Sequence, residues 1–203
     1  MRLDKKKVYY EVLEIAKELA KKKKGTLFVI APKHKFKRTY RLLYPQVLSN
    51  HYINEKGMKP VLEKFAELDG AILIGNDGAL VAYGAMLRYI KTLQGFGTKH
   101  AAAAGITMHI KDSTAVLVSE GLDWIKVFQN GKIVVEMDSG DKPVSLERKI
   151  ISFLTERDTA LITTAGASAA ILGFAPVLVI SGTYLVVKTA TGMIKKNLKD
   201  LFR

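Results

Sequence analysis

Asp69-Gly70-Ala71-Ile72-Leu73-Ile74-Gly75-Asn76-Asp77-Gly78-Ala79-Leu80-Val81-Ala82-Tyr83-Gly84 is the stretch that decides the fold. Ile72-Leu73-Ile74 and Leu80-Val81-Ala82-Tyr83-Gly84 are two apolar runs. Gly75-Asn76-Asp77-Gly78 between them is turn chemistry, because Asn, Asp and Gly tolerate the positive φ of a tight hairpin. The spacing therefore predicts a β-hairpin, and it places the polar cluster Asp69-Gly70-Ala71 at the entrance of the first strand. Asp-Gly-Ala recurs at Asp77-Gly78-Ala79, where turn chemistry alone accounts for it.

Downstream lie two more polar clusters at the ends of apolar elements, Gly97-Thr98-Lys99-His100 and Ser119-Glu120. After Met86 to Phe96, a connection with weak periodicity, Thr98 is read as the N-cap of a helix through Ala101 to Ala104, since alanine is the strongest helix former. Strands are expected over Ala115 to Val118 and Trp124 to Phe128, with Gln129-Asn130-Gly131-Lys132 turning into a third at Ile133 to Val135. Upstream, Asp4 caps a helix whose apolar positions Val8, Val12, Ile15 and Leu19 have helical spacing and which Gly25 ends. Thr26 to Ile30 then reads as a buried strand stopped by Ala31-Pro32. A short helix with Pro60 near its first turn carries Val61, Leu62, Phe65 and Leu68 inward and delivers the chain to Asp69. These elements predict an α/β fold, a central mixed β-sheet flanked by helices.

A length of 203 residues with 48% apolar content suits one domain with an appendage, read as 1–140 and 141–203. With no cysteine there is neither a disulfide framework nor a thiolate metal site. Met1 to Lys7 runs straight into a charged amphipathic segment without a secretory signal pattern, so a cytoplasmic location is expected. The net charge of +13 is concentrated before Leu42, in Lys5 to Lys7, Lys21 to Lys24, and Lys33, Lys35, Lys37, Arg38 and Arg41. Solvated faces account for the first two clusters. From Lys33 to Lys56, lysines interleave with Phe36, Tyr40, Tyr44, His51 and Tyr52, and no clear element emerges. That composition suits stacked bases, but tyrosines packed against a sheet explain it as well, and nucleic acid is not an expected partner.

The C-terminal part changes character. Leu146 to Leu154 reads as an amphipathic helix, and Thr159 to Val187 carries no charge. The uncharged run is long enough to span a bilayer, but Gly166, Gly173, Pro176 and Gly182 interrupt it. A single span would also carry Lys188, Lys195, Lys196 and Lys199 against the positive-inside tendency. A helical hairpin turning at Gly173 to Pro176 is expected, its small residues packing in a membrane or in a soluble oligomer.

Taken singly, the three clusters are ordinary: an Asp-Gly pair is usually a turn and a Thr usually a cap. No set of His, Asp and Glu has zinc-like spacing, Ser119 has no glycine elbow, and His109 is explained by the helix end near it. The ordered set, however, resembles the diadenylate cyclase (DAC) domain family over roughly residues 8 to 137. The family's signatures are Asp-Gly-Ala, Gly-Thr-Arg-His-Arg and Ser-Glu-Glu, and the copy at Asp69 stands at the family's distance from Gly97-Thr98. The resemblance implies two domains meeting face to face as a homodimer or within a larger homo-oligomer, each with an ATP and a divalent metal, Mg²⁺ or Mn²⁺, joining the two ATP into cyclic di-AMP with release of pyrophosphate. It implies that Asp69 binds metal and helps activate the attacking hydroxyl, and that Gly70 and Ala71 line the nucleotide. Thr98, Lys99 and His100 would contact the phosphates, and Ser119 and Glu120 would complete the site.

There are departures from the pattern. Lys99 and Ala101 replace the two arginines, Gly121 replaces the second glutamate, and Leu68 precedes Asp69 where a histidine is common. A planar phosphate clamp thereby becomes one point charge. The basic segment from Lys33 to Arg41 is a candidate for the missing phosphate contacts. A non-catalytic adenine-nucleotide or cyclic-dinucleotide binding protein is the alternative.

Overall fold

The computed structural model describes residues 2–47, 51–140, 144–156, 177–180 and 184–187. Helix α1 (Lys5–Lys21) begins at Asp4, whose carboxylate accepts from the Lys7 N–H at 2.8 Å. Strand β1 (Thr26–Ala31) follows, then a 3₁₀ turn (Lys33–Phe36) and a short strand β2 (Tyr40–Leu42). Helix α2 (Met58–Phe65) leads into the expected hairpin, β3 (Ala71–Gly75) and β4 (Leu80–Leu87). Helix α3 (Thr98–His109) precedes the meander β5 (Thr114–Val118), β6 (Trp124–Gln129) and β7 (Lys132–Asp138), and α4 is Val144–Glu156.

The strands form one mixed sheet in the order β2-β4-β3-β1-β5-β6-β7, continued at the β7 edge by β9 (Tyr184–Val187) and β8 (Val177–Ile180). β1 pairs parallel with β3 and antiparallel with β5. Its side chains alternate between the two faces, as the two-residue period of a strand requires. Phe28 and Ile30 join the core made with α1, α2 and α4, while Leu27, Val29 and Ala31 join the core under α3. Val8, Val12, Ile15 and Leu19 of α1 are all buried, each contributing about 1.5–3 kcal/mol of apolar burial. On the other face α3 buries Ala103, Ala104 and Gly105, and such small side chains let a helix lie close to a sheet. A β-carbon on Gly105 would stand 2.3 Å from the Tyr89 carbonyl oxygen, so the segment after β4 crosses α3 in direct contact. There the Lys91 N–H donates to the Ala101 carbonyl at 2.9 Å.

Several expectations are corrected. α1 ends before Gly25: Lys22 is its C-cap and Lys23 turns the chain with φ 57°. α3 is capped by Gly97, with Thr98 as its first helical residue and no side-chain cap. The expected helical hairpin over 159–187 lies mainly outside the described residues. Its two described parts, Val177–Ile180 and Tyr184–Val187, are strands, in keeping with their β-branched and aromatic content. Among the described residues no helix is long and apolar enough to cross a membrane.

Ion pairs tie the helices of one face together. Lys59 of α2 pairs with Glu18 of α1, and in the turn after α1 Lys22 meets Glu63 of α2 at 2.6 Å and Lys24 pairs with Glu67 just beyond α2. Between α1 and α4 the buried Lys17 ammonium lies 2.7 Å from Glu14 and also pairs with Glu147. Burial works to lower the Lys17 pKa, but its hydrogen bonds to the two carboxylates outweigh that and raise it.

Candidate active site

The three polar clusters meet at one end of the sheet. In the register, Leu27 of β1 stands between Ala71 of β3 and Leu117 of β5, and Thr26 faces Val118. Continued past Thr26, the two registers bring Gly25 beside the Asp69-Gly70 turn on one side and Ser119-Glu120 on the other. Lys99, in the first turn of α3, donates from its ammonium to the Gly25 carbonyl at 3.1 Å. A β-carbon on Gly25 would stand 2.7 Å from the β-carbon of Glu120, so only glycine lets Glu120 approach β1 this closely. Sequence reasoning assigned Gly25 to the end of α1 and missed it as the point where two clusters touch. Its one signal is a glycine directly before a buried strand.

The turn at Asp69 is built by two glycines in contact. Gly70 has φ 96°, and a β-carbon there would lie 2.6 Å from the Gly84 carbonyl carbon. Gly84 itself has φ 55°, at a register shift between β3 and β4 where Ala71 pairs with Ala85 but Leu73 with Ala82. Such a bulge re-aims the chain at a strand end. Asp69 is exposed, and its carboxylate accepts from the Gly70 N–H at 2.8 Å. Ala71 is buried against the α3 face, so its side chain backs the turn from within the core.

Thr98 is exposed at the first position of α3, where the N–H groups of Thr98 and Lys99 precede the helix's own bonding and form an end suited to anions. His100 turns inward. Its ring lies 4.7 Å from Phe96 and 6.1 Å from Phe128, and its buried Nε2 has no hydrogen-bond partner among the described residues. Burial and the nearby Lys126 hold its pKa below the ordinary 6.5, so the ring is neutral near pH 7. Lys126 stands 4.9 Å over the Phe96 ring and 3.1 Å from Glu136. Ser119 is buried and its N–H donates to the Trp124 carbonyl at 2.9 Å, while Glu120 is exposed. Gly121 has φ 73° and donates to the Lys23 carbonyl at 3.3 Å, so the turn favours glycine where the pattern has its second glutamate.

The second Asp-Gly-Ala lies at the opposite end of β3. Asp77 pairs with Lys33 at 3.0 Å and Arg2 at 3.4 Å, and Gly75 and Gly78 close the turn through hydrogen bonds to Ala79 and Gly75 carbonyls at 2.8 Å. Burial opposes ionisation of Asp77, but the Lys33 hydrogen bond and the Ala79 N–H prevail and lower its pKa. Lys33 follows the C-terminal end of β1, which lies roughly 20 Å of strand from Gly25. Within one copy it lies at the opposite end of β1 from the contact of Lys99 with Gly25. Arg41, beside Met86 in the β2–β4 pair, belongs to the Asp69 end.

Among the described residues no three His, Asp or Glu side chains cluster to hold a metal by themselves. A single exposed carboxylate fits a cation that takes most of its ligands from phosphate oxygens and water, as Mg²⁺ does in nucleotide sites. Asp69, like Glu120, offers an exposed carboxylate that could hold such a cation.

Residues 14–133 match the DAC family, described as the DisA bacterial checkpoint controller nucleotide-binding domain. The chain is 30% identical over 145 residues to a protein of Haloferax volcanii named diadenylate cyclase, a stretch that covers 64% of this chain and 52% of that protein. It is 28% identical over 143 residues to another so named from Methanocaldococcus jannaschii, covering 66% of this chain and 46% of that one. The chain thus spans about half the length of these curated relatives. The crystal structure of a double mutant of DacA from Staphylococcus aureus superposes with TM-score 0.50 at 22% identity, covering 74% of this chain and 94% of that one. A hypothetical membrane spanning protein from Bacillus cereus gives TM-score 0.51 at 21% identity, covering 62% and 61%. These two likenesses bear on the fold. With the family matched over more than half of its length, this chain belongs to the DAC family.

Proposed function

We propose that the chain is a diadenylate cyclase that joins two ATP into cyclic di-AMP, each ATP held on one copy of the domain. The observation that carries the reading is the meeting of Lys99 and Glu120 at Gly25, at the end of the sheet where the Asp69-Gly70 turn enters β3 beside β1. Nucleotidyl transfer needs an acidic ligand, donors on the phosphate oxygens and room for the sugar. Asp69 supplies an exposed carboxylate, and the free N–H groups at the start of α3 and the Lys99 ammonium supply the donors. When bound, a divalent cation at Asp69 would neutralise triphosphate charge and favour pyrophosphate as the leaving group. A second copy facing the first would bring the 3′-hydroxyl of one ATP in line with the α-phosphate of the other.

A second reading is favoured by Ala101, which removes a cation from the first turn of α3: a domain that binds adenine nucleotides without turning them over. Incubation of the purified protein with ATP and Mg²⁺ or Mn²⁺, followed by nucleotide chromatography, separates the two. Cyclic di-AMP and pyrophosphate are expected. ATP bound but unconverted with both metals replaces the cyclase by the binding module.

A further inference from the structure

The basic and aromatic stretch between β1 and α2 holds one ring beside the site. Tyr44 lies against Gly84: a β-carbon on that glycine would stand 2.3 Å and 2.9 Å from two carbons of the Tyr44 ring and 3.4 Å from the Asp69 carbonyl oxygen. Gly84 also carries Gly70, so Tyr44, Gly84 and the Asp69-Gly70 turn are stacked in sequence.

The backbone under Tyr44 is held far more firmly than an exposed loop needs. The Gln46 amide donates to the Tyr83 carbonyl at 3.1 Å and accepts from the Tyr83 N–H at 3.1 Å, and it donates to the Tyr44 carbonyl at 3.0 Å. The Tyr83 hydroxyl donates to the Pro45 carbonyl at 2.6 Å and accepts from the Val47 N–H at 3.0 Å, while the Leu43 N–H donates to Gly84 at 3.0 Å. Tyr83 is fixed in turn by its ring, stacked 3.9 Å from Phe65. Yet Tyr44 remains 36% exposed, and its hydroxyl has no hydrogen-bond partner among the described residues. A ring that is preorganised and left open to solvent has lost its freedom before a ligand arrives, which is what makes a stacking surface effective.

We infer that Tyr44 is the platform on which the nucleobase of the bound nucleotide stacks, fixing the base while the α3 end and Asp69 take the phosphates. The inference rests on the nucleotide reading of the Asp69 site. It gives the aromatic stretch a use without nucleic acid, because a single base offers the same π face as a strand of them.

The test is titration calorimetry of full-length protein with Mg²⁺ and either ATP or tripolyphosphate, which has the phosphates but no base. Tyr44→Ala is expected to weaken ATP by about tenfold, the usual scale for one lost base stack, and to leave tripolyphosphate unchanged. Tyr44→Phe keeps ATP affinity within about twofold, because the ring alone is needed. Should Tyr44→Ala not fold, Tyr44→Leu keeps the bulk without the π face and shows the same selective loss.

Unchanged ATP affinity in the Ala or Leu variant overturns the platform, as does a loss shared by tripolyphosphate. A changed sedimentation coefficient with ATP affinity intact assigns the ring to contact between copies and also overturns it. If wild-type protein binds ATP and Asp69→Asn weakens the Mg²⁺-dependent part, the site reading stands and Tyr44 alone fails. No ATP binding by wild-type protein removes both.

Discussion

Lys99 fastens the start of α3 to the start of β1, its ammonium 3.1 Å from the Gly25 carbonyl, while Glu120 occupies the space a Gly25 side chain would need. Gly25→Ala forces the backbone of Glu120, 3.1 Å from the added carbon at Cα and N, to move. Overpacking of this kind costs about 1–3 kcal/mol, read as a lower urea midpoint, and nucleotide affinity should fall with it. A variant as stable as the wild type would show that Glu120 does not need the close approach.

The two Asp-Gly-Ala copies should separate cleanly. Among the described residues Asp69 accepts only from its own neighbour Gly70, so Asp69→Asn should abolish metal-dependent turnover while changing stability by less than about 0.5 kcal/mol. Asp77→Asn should keep turnover and lose at most about 1 kcal/mol, since it removes largely surface ion pairs to Lys33 and Arg2. Equal loss of activity in both would reverse the assignment.

His100 predicts a pH dependence of stability. Its folded pKa lies below 6.5, so on acidification the unfolded chain takes up a proton before the folded one does. The His100 contribution is therefore constant above about pH 7 and is lost progressively as pH falls below 6.5 toward the folded value. Thermal melts from pH 7.5 to 5 should show the decline, and His100→Phe, which keeps a ring between Phe96 and Phe128, should flatten that part of the profile.

Helix α4 is expected to be indispensable to the fold. Ile150, Ile151 and Leu154 are buried in the core shared with α1, and Glu147 partners the buried Lys17. A chain ending at Gly140 uncovers that face and leaves Lys17 only Glu14, whereas one ending at Glu156 keeps both. The longer form should give a cooperative melt and the shorter should aggregate or melt well below it.

Much of the framework was legible because its signals were local. The Asp4 cap, the α1 stripe, the β1 run and the hairpin around Asn76 and Asp77 each depend on residues within a few positions. Ion pairs to Lys33 and Arg2 hold Asp77 at the far end of β3 from Asp69. What was not legible depends on the sheet order. Gly25 meets Glu120, and Tyr44 meets Gly84, across separations that no periodicity reports. The end of the chain misled for a different reason: Val177 to Ile180 and Tyr184 to Val187 are too short for period to separate strand from helix, and β-branched content was the better guide.

The central position of β1 bears on how the protein comes to be made. Its two neighbours in the sheet, β3 and β5, arrive about 45 and 90 residues later in the chain, so the contacts at Gly25 are among the most distant in sequence. Such pairings close large loops and form slowly. A ribosome-bound fragment that has not yet released Glu120 lacks the residue that packs on Gly25 whatever else has folded, so ATP capture by nascent chains should not begin before that residue, and α4 after it, have cleared the exit tunnel.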